Sequence, residues 1–235
     1  MGTFVESYLT RMRGCAARMG REMATISDRN RAVRLVEADA RSVERGFAAG
    51  WLAIESVNRV RTLDQRQGTA WLVEGDPAHV RWEYLPHLAA YVELIAAGYP
   101  PRAVRFETSD SELRLDLAAV DEDGRVLVLG EARAEPIQLT KLEALVSTFE
   151  GDPGWPGRDS TARDALKLAH QLWATRAPYL WLVASGARRA YRVSYERTIK
   201  LAAMPCLPDA EELWPSGFDG PTPVVMTHDG EPVAG

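Results

Sequence analysis

The sequence contains few cysteines and no long apolar segment. Cys15 and Cys206 are the two cysteines among 235 residues. They lie too far apart along the chain to form a disulfide framework or a metal cluster, so a reducing cytoplasm is the expected compartment. No apolar run approaches the roughly 20 residues of a membrane span, and the N-terminal residues lack the apolar block of a signal peptide. We therefore expect no membrane partner.

Lysine is also scarce. The chain has 25 arginines but three lysines, Lys141, Lys167 and Lys200, which restricts the choice of a catalytic lysine. Residues 1–67 carry 12 arginines against eight acidic residues, a net charge of +4, and the remainder carries a net −9. This acidic balance argues against nonspecific adhesion to nucleic acid. It does not exclude a nuclease, because an acidic pocket can hold a metal ion while local basic loops hold the backbone.

Three regions differ in their sequence patterns. A hydrophobic content of 46% over this length allows one domain with additions or two small domains. Residues 1–67 form an expected N-terminal helical region, residues 68–203 an α/β core, and residues 204–235 a proline-rich surface tail. The order of helical and strand patterns in the core predicts an α/β fold with a mixed central sheet flanked by helices.

The N-terminal region shows a long helical pattern. Apolar residues recur at spacings of three and four from Val33 to Val57. They predict one amphipathic helix that follows a cap at Ser27-Asp28 and ends near Gln67-Gly68. This helix could pack on a short helix expected over residues 3–25 or on the main body. Alternatively, it could form a coiled-coil-like seam that makes the protein a homodimer, although Gly50 falls at a seam position.

The core contains a series of shorter patterns. They predict, in order, a helix over 82–97, a strand over 103–108, a hairpin over 113–133, helices from near 136 and over 163–176, and strands over 179–184 and 190–196.

The hairpin, LRLDLAAVDEDGRVLVLGEAR, places three charged residues together. With Asp123-Gly124 as a two-residue loop, opposed residue numbers add to 247, so Asp116 faces Glu131. Arg133 lies on the same face because side chains alternate with period two. Two carboxylates whose Cβ atoms are about 5 Å apart repel each other. A divalent cation or a nearby guanidinium would balance their charge.

An aspartate, a hairpin and the tripeptide Glu131-Ala132-Arg133 resemble the signature of the PD-(D/E)XK nuclease superfamily. The resemblance implies a restriction-endonuclease-like core and Mg²⁺ or Mn²⁺ held by Asp116 and Glu131. It also implies an acidic residue from the first core helix in the metal site, with Glu93 preferred to Glu83. The implied reaction is hydrolysis of phosphodiester bonds in DNA or, less favoured, RNA.

The chain departs from this signature at Arg133, where the family has lysine. Arginine is a planar cation that does not supply a compact, deprotonatable amine. Three alternatives follow: Arg133 acts in place of lysine, Lys141 on the next helix reaches back into the site, or the site is not catalytic. Gln138 precedes Lys141 by one helical turn and can point to the same place. Gln138, Arg114, Arg188 and Arg189 are the candidate contacts to nucleic acid.

Two functions from different classes are therefore expected. The first is a metal-dependent nuclease with Asp116, Glu131, Arg133 and Lys141 as catalytic residues. The second is a nuclease-like fold that acts as a noncatalytic binding or assembly module. Arg133, the acidic core and the long N-terminal stripe favour the second.

Overall fold

The computed structural model describes residues 3–63, 70–108, 113–156 and 162–218. The described helices are α1 (Phe4–Arg18), α2 (Asp28–Arg34), α3 (Glu37–Ala48), α4 (Tyr84–Ala96), α5 (Pro136–Val146), α6 (Arg163–Thr175) and α7 (Ala210–Leu213). The short strands before α4 are β1 (Leu52–Ile54), β2 (Arg59–Thr62), β3 (Ala70–Trp71), β4 (Val73–Glu74) and β5 (His79–Val80). The strands after α4 are β6 (Val104–Phe106), β7 (Leu117–Val120), β8 (Val126–Ala132), β9 (Tyr179–Ala184), β10 (Ala187–Tyr195) and β11 (Ile199–Met204).

A six-stranded mixed sheet forms the centre, in the order β11-β10-β9-β8-β7-β6. All neighbours are antiparallel except β8 and β9, which are parallel. A parallel pair needs a crossover connection, and α5 and α6 lie in the segment that joins these two strands. The predicted mixed α/β class with flanking helices is therefore confirmed.

Each face of the sheet has its own hydrophobic core. One core joins the sheet to α1, α3 and α4, with Phe106, Leu117 and Val128 among its buried side chains. The other joins the sheet to α5 and α6 and includes Leu129, Leu168 and Leu182. The N-terminal helices are thus one layer of the same structure as the α/β core. No described helix has the length and apolar content to cross a bilayer.

The prediction of one long N-terminal helix was wrong. Ser27 does cap a helix, since its side chain accepts a hydrogen bond from Asn30 N–H. However, that helix is the short α2, and the next helix, α3, ends at Ala48. Gly50 adopts a φ of 73°, and Trp51 N–H donates to the Gly46 carbonyl at 2.9 Å. A glycine in the left-handed region with this hydrogen bond terminates a helix.

The residues after Gly50 form strands. β1 and β2 pair as an antiparallel hairpin, and the predicted end at Gln67-Gly68 lies outside the described residues. α3 packs against α1 and α4, and Ala40 and Val43 are fully buried in that core. Of the two packing alternatives, the described structure has packing within the chain. A homodimer through the N-terminal helices stays a prediction.

The predicted register of the central hairpin is confirmed for three pairs. Leu117 pairs with Gly130, Ala118 with Leu129, and Ala119 with Val128. The expected two-residue loop was wrong, because the register shifts at Val120, which pairs with Val126. Asp121 closes the wider turn, where its backbone N–H donates to the Arg125 carbonyl at 2.9 Å. The irregularity is confined to the turn, so the far end of the hairpin keeps the predicted alignment.

The described part of the expected surface tail is ordered against the core. β11 continues to Met204, and a strand there was not predicted. Trp214 is 6% exposed, and its indole N–H donates to the Val120 carbonyl at 3.1 Å. Residues 219–235 of the predicted tail lie outside the described residues.

Candidate functional site

Asp116 lies just before β7, next to the end of β8. Its Oδ2 accepts a hydrogen bond from the backbone N–H of Ala132 at 3.0 Å. Its Oδ1 accepts one from Lys167 Nζ on α6 at 3.2 Å. The carboxylate is therefore fixed by the neighbouring strand on one side and by a helix on the other.

The carboxylate of Glu131 is fully buried and incompletely satisfied. Its side chain is 0% exposed, and Arg133 Nη2 lies 2.6 Å from its Oε1. Lys167 Nζ lies 3.8 Å from the same oxygen. Apart from the ion pair with Arg133, neither Glu131 oxygen has a hydrogen-bond partner among the described residues. A buried carboxylate in this condition is costly unless a further partner binds it.

Arg133 and Lys167 balance the two carboxylates. Arg133 Nη1 lies 3.8 Å from Asp116 Oδ2 and donates to the Ala132 carbonyl at 2.7 Å. Its Nη2 also approaches Asp164 at 3.4 Å. Two cations thus face Asp116 and Glu131, and Asp164 adds a third acidic group at the rim.

Both cations stay charged at neutral pH. Burial lowers the pKa of Lys167, but the charges of Glu131 and Asp116 outweigh it and raise the pKa above its usual value. The same opposition between burial and the charges of Glu131 and Asp116 leaves the pKa of Arg133 raised. Neither side chain is therefore suited to remove a proton; each is suited to stabilise negative charge.

The backbone around Asp116 is held from two sides. Its carbonyl accepts from Glu107 N–H at 2.8 Å and lies 2.6 Å from His87 Nε2. Glu107 and Arg114 flank the site with φ of 47° and 46°. Gln171 of α6 donates to the Arg114 carbonyl at 3.1 Å. Left-handed backbone at non-glycine residues is strained and needs such support.

His87 is buried between Asp116 and Glu107. Its Nδ1 lies 3.3 Å from Glu107 Oε1. Burial lowers the pKa of His87, but the hydrogen bond and charge of Glu107 outweigh it, so the pKa is raised. No sequence pattern indicates this contact between His87 on α4 and the backbone of Asp116 just before β7.

A cavity of about 330 Å³ opens beside Arg133, between α5 and α6. The wall from α5 contains Gln138, Lys141, Leu142 and Leu145, and the wall from α6 contains Arg163, Asp164 and Ala165. Lys141 is exposed at this cavity. The structure thus brings Lys141 and Gln138 to the same cleft as Arg133, while Lys167 contacts the two carboxylates.

The prediction that Glu93 is the third metal ligand was wrong. Its Oε2 lies 2.7 Å from Arg188 Nε, and its Oε1 accepts from Ser42 at 3.3 Å. Glu93 therefore belongs to an ion cluster between α3, α4 and β10. The second choice, Glu83, lies 2.5 Å from Arg81 Nη2 instead.

Two of the expected nucleic-acid contacts are engaged in internal ion pairs. Arg188 Nη2 contacts Asp39 at 2.8 Å, and the rest of its guanidinium is bonded to Glu93 and to backbone carbonyls. The guanidinium of Arg188 is thus occupied within the chain, and its contact with nucleic acid stays a prediction. Arg189 is half-buried and pairs with Glu143 at 2.7 Å. Arg114 is exposed, so its prediction stays open.

Lys167 was not among the site residues expected from the sequence. It lies 51 residues after Asp116, on a helix that no short motif connects to the hairpin. Two features of the sequence could have indicated it. The chain has three lysines, and this lysine lies one helical turn after the acidic residue Asp164.

Among residues 3–63, 70–108, 113–156 and 162–218, no three His, Cys, Asp or Glu side chains are grouped to hold a metal ion. The described carboxylates of the site are therefore a pair and not a full ligand cage. Comparison with known proteins gave no match: no family model, no curated relative and no solved structure was found.

Proposed function

We propose that the chain is a metal-dependent nuclease that hydrolyses phosphodiester bonds in DNA, with RNA as the less favoured substrate. The observation that carries this proposal is the carboxylate of Glu131. It is fully buried, has no hydrogen-bond partner among the described residues apart from its ion pair with Arg133, and shares Lys167 with Asp116. Buried carboxylate oxygens usually have a hydrogen-bond partner, so Oε2 of Glu131 is available to bind a further group such as a metal ion.

The donor set fits Mg²⁺ or Mn²⁺. These hard cations prefer carboxylate oxygens, and Mg²⁺ is usually held by one or two carboxylates together with water and substrate phosphate. Asp116 and Glu131 would hold the ion. When bound, the ion would lower the pKa of a coordinated water and stabilise negative charge on the phosphate.

The two cations would act on the phosphate. Lys167 and Arg133 stay charged because their pKa values are raised. They would offset the negative charge that develops during phosphodiester cleavage. Lys167 would supply the compact ammonium that the hairpin lacks, and Arg133 would orient a phosphate oxygen with its planar fork.

The sheet topology supports the finer proposal of a restriction-endonuclease-like core. β6, β7 and β8 form an antiparallel meander, and β9 returns parallel to β8 after two helices. The resemblance of the Asp116 and Glu131 motif implies this order of strands, but many unrelated folds share short meanders. The fold therefore adds support without replacing a test of activity.

The proposal is tested by cleavage of single-stranded and duplex DNA with Mn²⁺, Mg²⁺ or EDTA. We expect metal-dependent cleavage by the wild type and its loss in Asp116→Ala and Glu131→Gln. Glu150→Gln is the matched control, because Glu150 lies in an exposed ion pair with Arg197. If the wild type cleaves neither form, or if Asp116→Ala keeps full activity, the proposal is wrong.

The alternative is a noncatalytic binding or assembly module. Arg133 contacts both carboxylates and, together with Lys167, balances their charge without a metal. Calorimetry with Mn²⁺ separates the alternatives. Heat of binding that disappears in Glu131→Gln supports the nuclease, whereas a wild type that binds no Mn²⁺ and cleaves nothing supports the module.

A further inference from the structure

The cavity beside Arg133 is lined by cationic, apolar and acidic side chains. The acidic one, Asp164, lies 3.4 Å from Arg133 Nη2, so its charge is partly balanced. Lys141 from α5 and Arg163 from α6 provide positive charge, and neither forms an ion pair within the described part of the chain. Leu142 and Leu145 provide apolar surface between them. The cationic groups match phosphate, but the apolar groups gain nothing from a phosphate backbone.

The apolar surface continues outward along α5. Ile137 is 59% exposed and Leu145 is 41% exposed. Lys141 lies between them at helical spacing, so the three side chains share one face of the helix. These three side chains form a row at the edge of the cleft, in which one cationic side chain lies between two apolar ones.

An amide donor lies in the same cleft. Gln138 Oε1 accepts the backbone N–H of Glu135 at 2.9 Å, which leaves the two hydrogens of its amide nitrogen for another partner. Arg133 connects this wall to the carboxylate pair, because it lines the cavity and contacts Glu131. A group bound in the cavity would thus lie next to the proposed catalytic residues.

We infer that this cavity binds one unpaired nucleotide of a single DNA strand, next to the phosphate that is cleaved. The inference rests on the proposed nuclease function and specifies its substrate. The base or sugar would lie on Leu142 and Leu145, and flanking phosphates would contact Lys141 and Arg163.

The combination of walls favours an unpaired strand over a duplex. In a duplex the apolar faces of the bases are stacked inside, and the surface offers phosphates and base edges. An unpaired nucleotide exposes a base face that can pack on apolar side chains while its phosphates meet cations. The volume of about 330 Å³ is at the lower end of the range for small-molecule sites, which suits one nucleotide.

The test measures binding without cleavage, by fluorescence anisotropy in EDTA. The probe is a labelled single-stranded oligodeoxynucleotide of about 12 nucleotides, free or annealed to its complement. We expect the single strand to bind about tenfold more tightly than the duplex.

Two variants and their matched controls locate the binding. Leu145→Ser should weaken binding of the single strand about fivefold, because the apolar contact is lost, and should leave duplex binding unchanged. Val57→Ser is its control, since Val57 is a comparably exposed apolar residue at 40% outside the cavity. Lys141→Ala should reduce the salt dependence of binding by about 0.7 in the logarithmic slope, and Lys200→Ala should not.

Equal or tighter binding of the duplex would overturn the inference, as would a Leu145→Ser variant that binds like Val57→Ser, or no binding of either probe. These outcomes can be separated from failure of the proposed function. Binding of the single strand without metal-dependent cleavage would support nucleotide binding in the cavity and contradict the proposed nuclease activity. Cleavage restricted to duplex DNA would support the nuclease activity and contradict the binding of an unpaired nucleotide in the cavity.

Discussion

Lys167 Nζ lies 3.2 Å from Asp116 Oδ1, although 51 residues separate the two along the chain. The hairpin carries arginine where the resembled motif has lysine, and α6 brings a lysine to the same pair of carboxylates. The site therefore contains both kinds of cation. Arg133, directly after β8, has a planar guanidinium group, and Lys167 on α6 has a compact ammonium group.

We predict that Lys167→Met removes most of the cleavage activity. The methionine keeps the length of the side chain but removes the charge that would face the phosphate. Loss of one such cation is expected to lower the rate about 100- to 1,000-fold. Single-turnover cleavage with Mn²⁺ measures the change, with Lys200→Met as the control on β11. A variant that cleaves at the rate of the wild type would show that Arg133 is sufficient.

We predict that Arg188→Met destabilises the fold without changing DNA binding. Asp39 is 2% exposed, and both it and Glu93 would lose their common partner. Removing one member of a buried ion cluster costs about 3–5 kcal/mol. Urea unfolding measures this cost, and Arg197→Met in an exposed pair should give a far smaller change. Weaker DNA binding by the folded Arg188→Met protein would contradict this and show that Arg188 contacts nucleic acid.

We predict that Asp39 makes the free energy of unfolding depend on pH. Burial raises the pKa of Asp39 above its usual 3.8, and the charge of Arg188 opposes this only in part. The folded state therefore holds the proton more tightly than the unfolded state, and the contribution of Asp39 to stability is fully present below pH 3.8. This contribution is lost as the pH rises through the raised pKa.

The matched variant is Asp39→Asn, which keeps the shape and does not titrate. Its unfolding free energy relative to the wild type should increase as the pH rises from 3.8. Urea unfolding at a series of pH values measures this difference. A difference that is constant, or that moves in favour of the wild type, would contradict the raised pKa.

We predict that Gly130→Ala destabilises the sheet next to Glu131. A Cβ at Gly130 would lie 2.8 Å from the Leu117 Cβ, so the paired strands would have to separate. Overpacking of this kind costs about 1–3 kcal/mol. Gly14→Ala is the control, because Gly14 lies within α1 and its added Cβ meets only the end of Arg18 at 3.5 Å. That change should stabilise the protein by about 0.5–1 kcal/mol, and thermal unfolding separates the two directions.

Local patterns predicted the central hairpin well. Alternation of side chains and a turn-forming Asp-Gly pair gave the correct register for Ala118 and Leu129. The same patterns missed the irregularity at Val120, because a bulge depends on how the strands twist together. In the N-terminal region, periodicity outweighed the glycine signal at Gly50, and the predicted helix was too long as a result.

The sequence by itself determined α4 to α6, β6 to β10 and the alignment of Leu117 with Gly130, since these follow from side-chain periodicity over short distances. Only the tertiary structure decided which charged residues meet at the site. Lys167 contacts Asp116 because α6 packs on the sheet next to β8. Glu93 pairs with Arg188 because α4 packs on the opposite face of the sheet. Ion pairs between distant segments depend on how whole elements pack, and no pattern within one element encodes them.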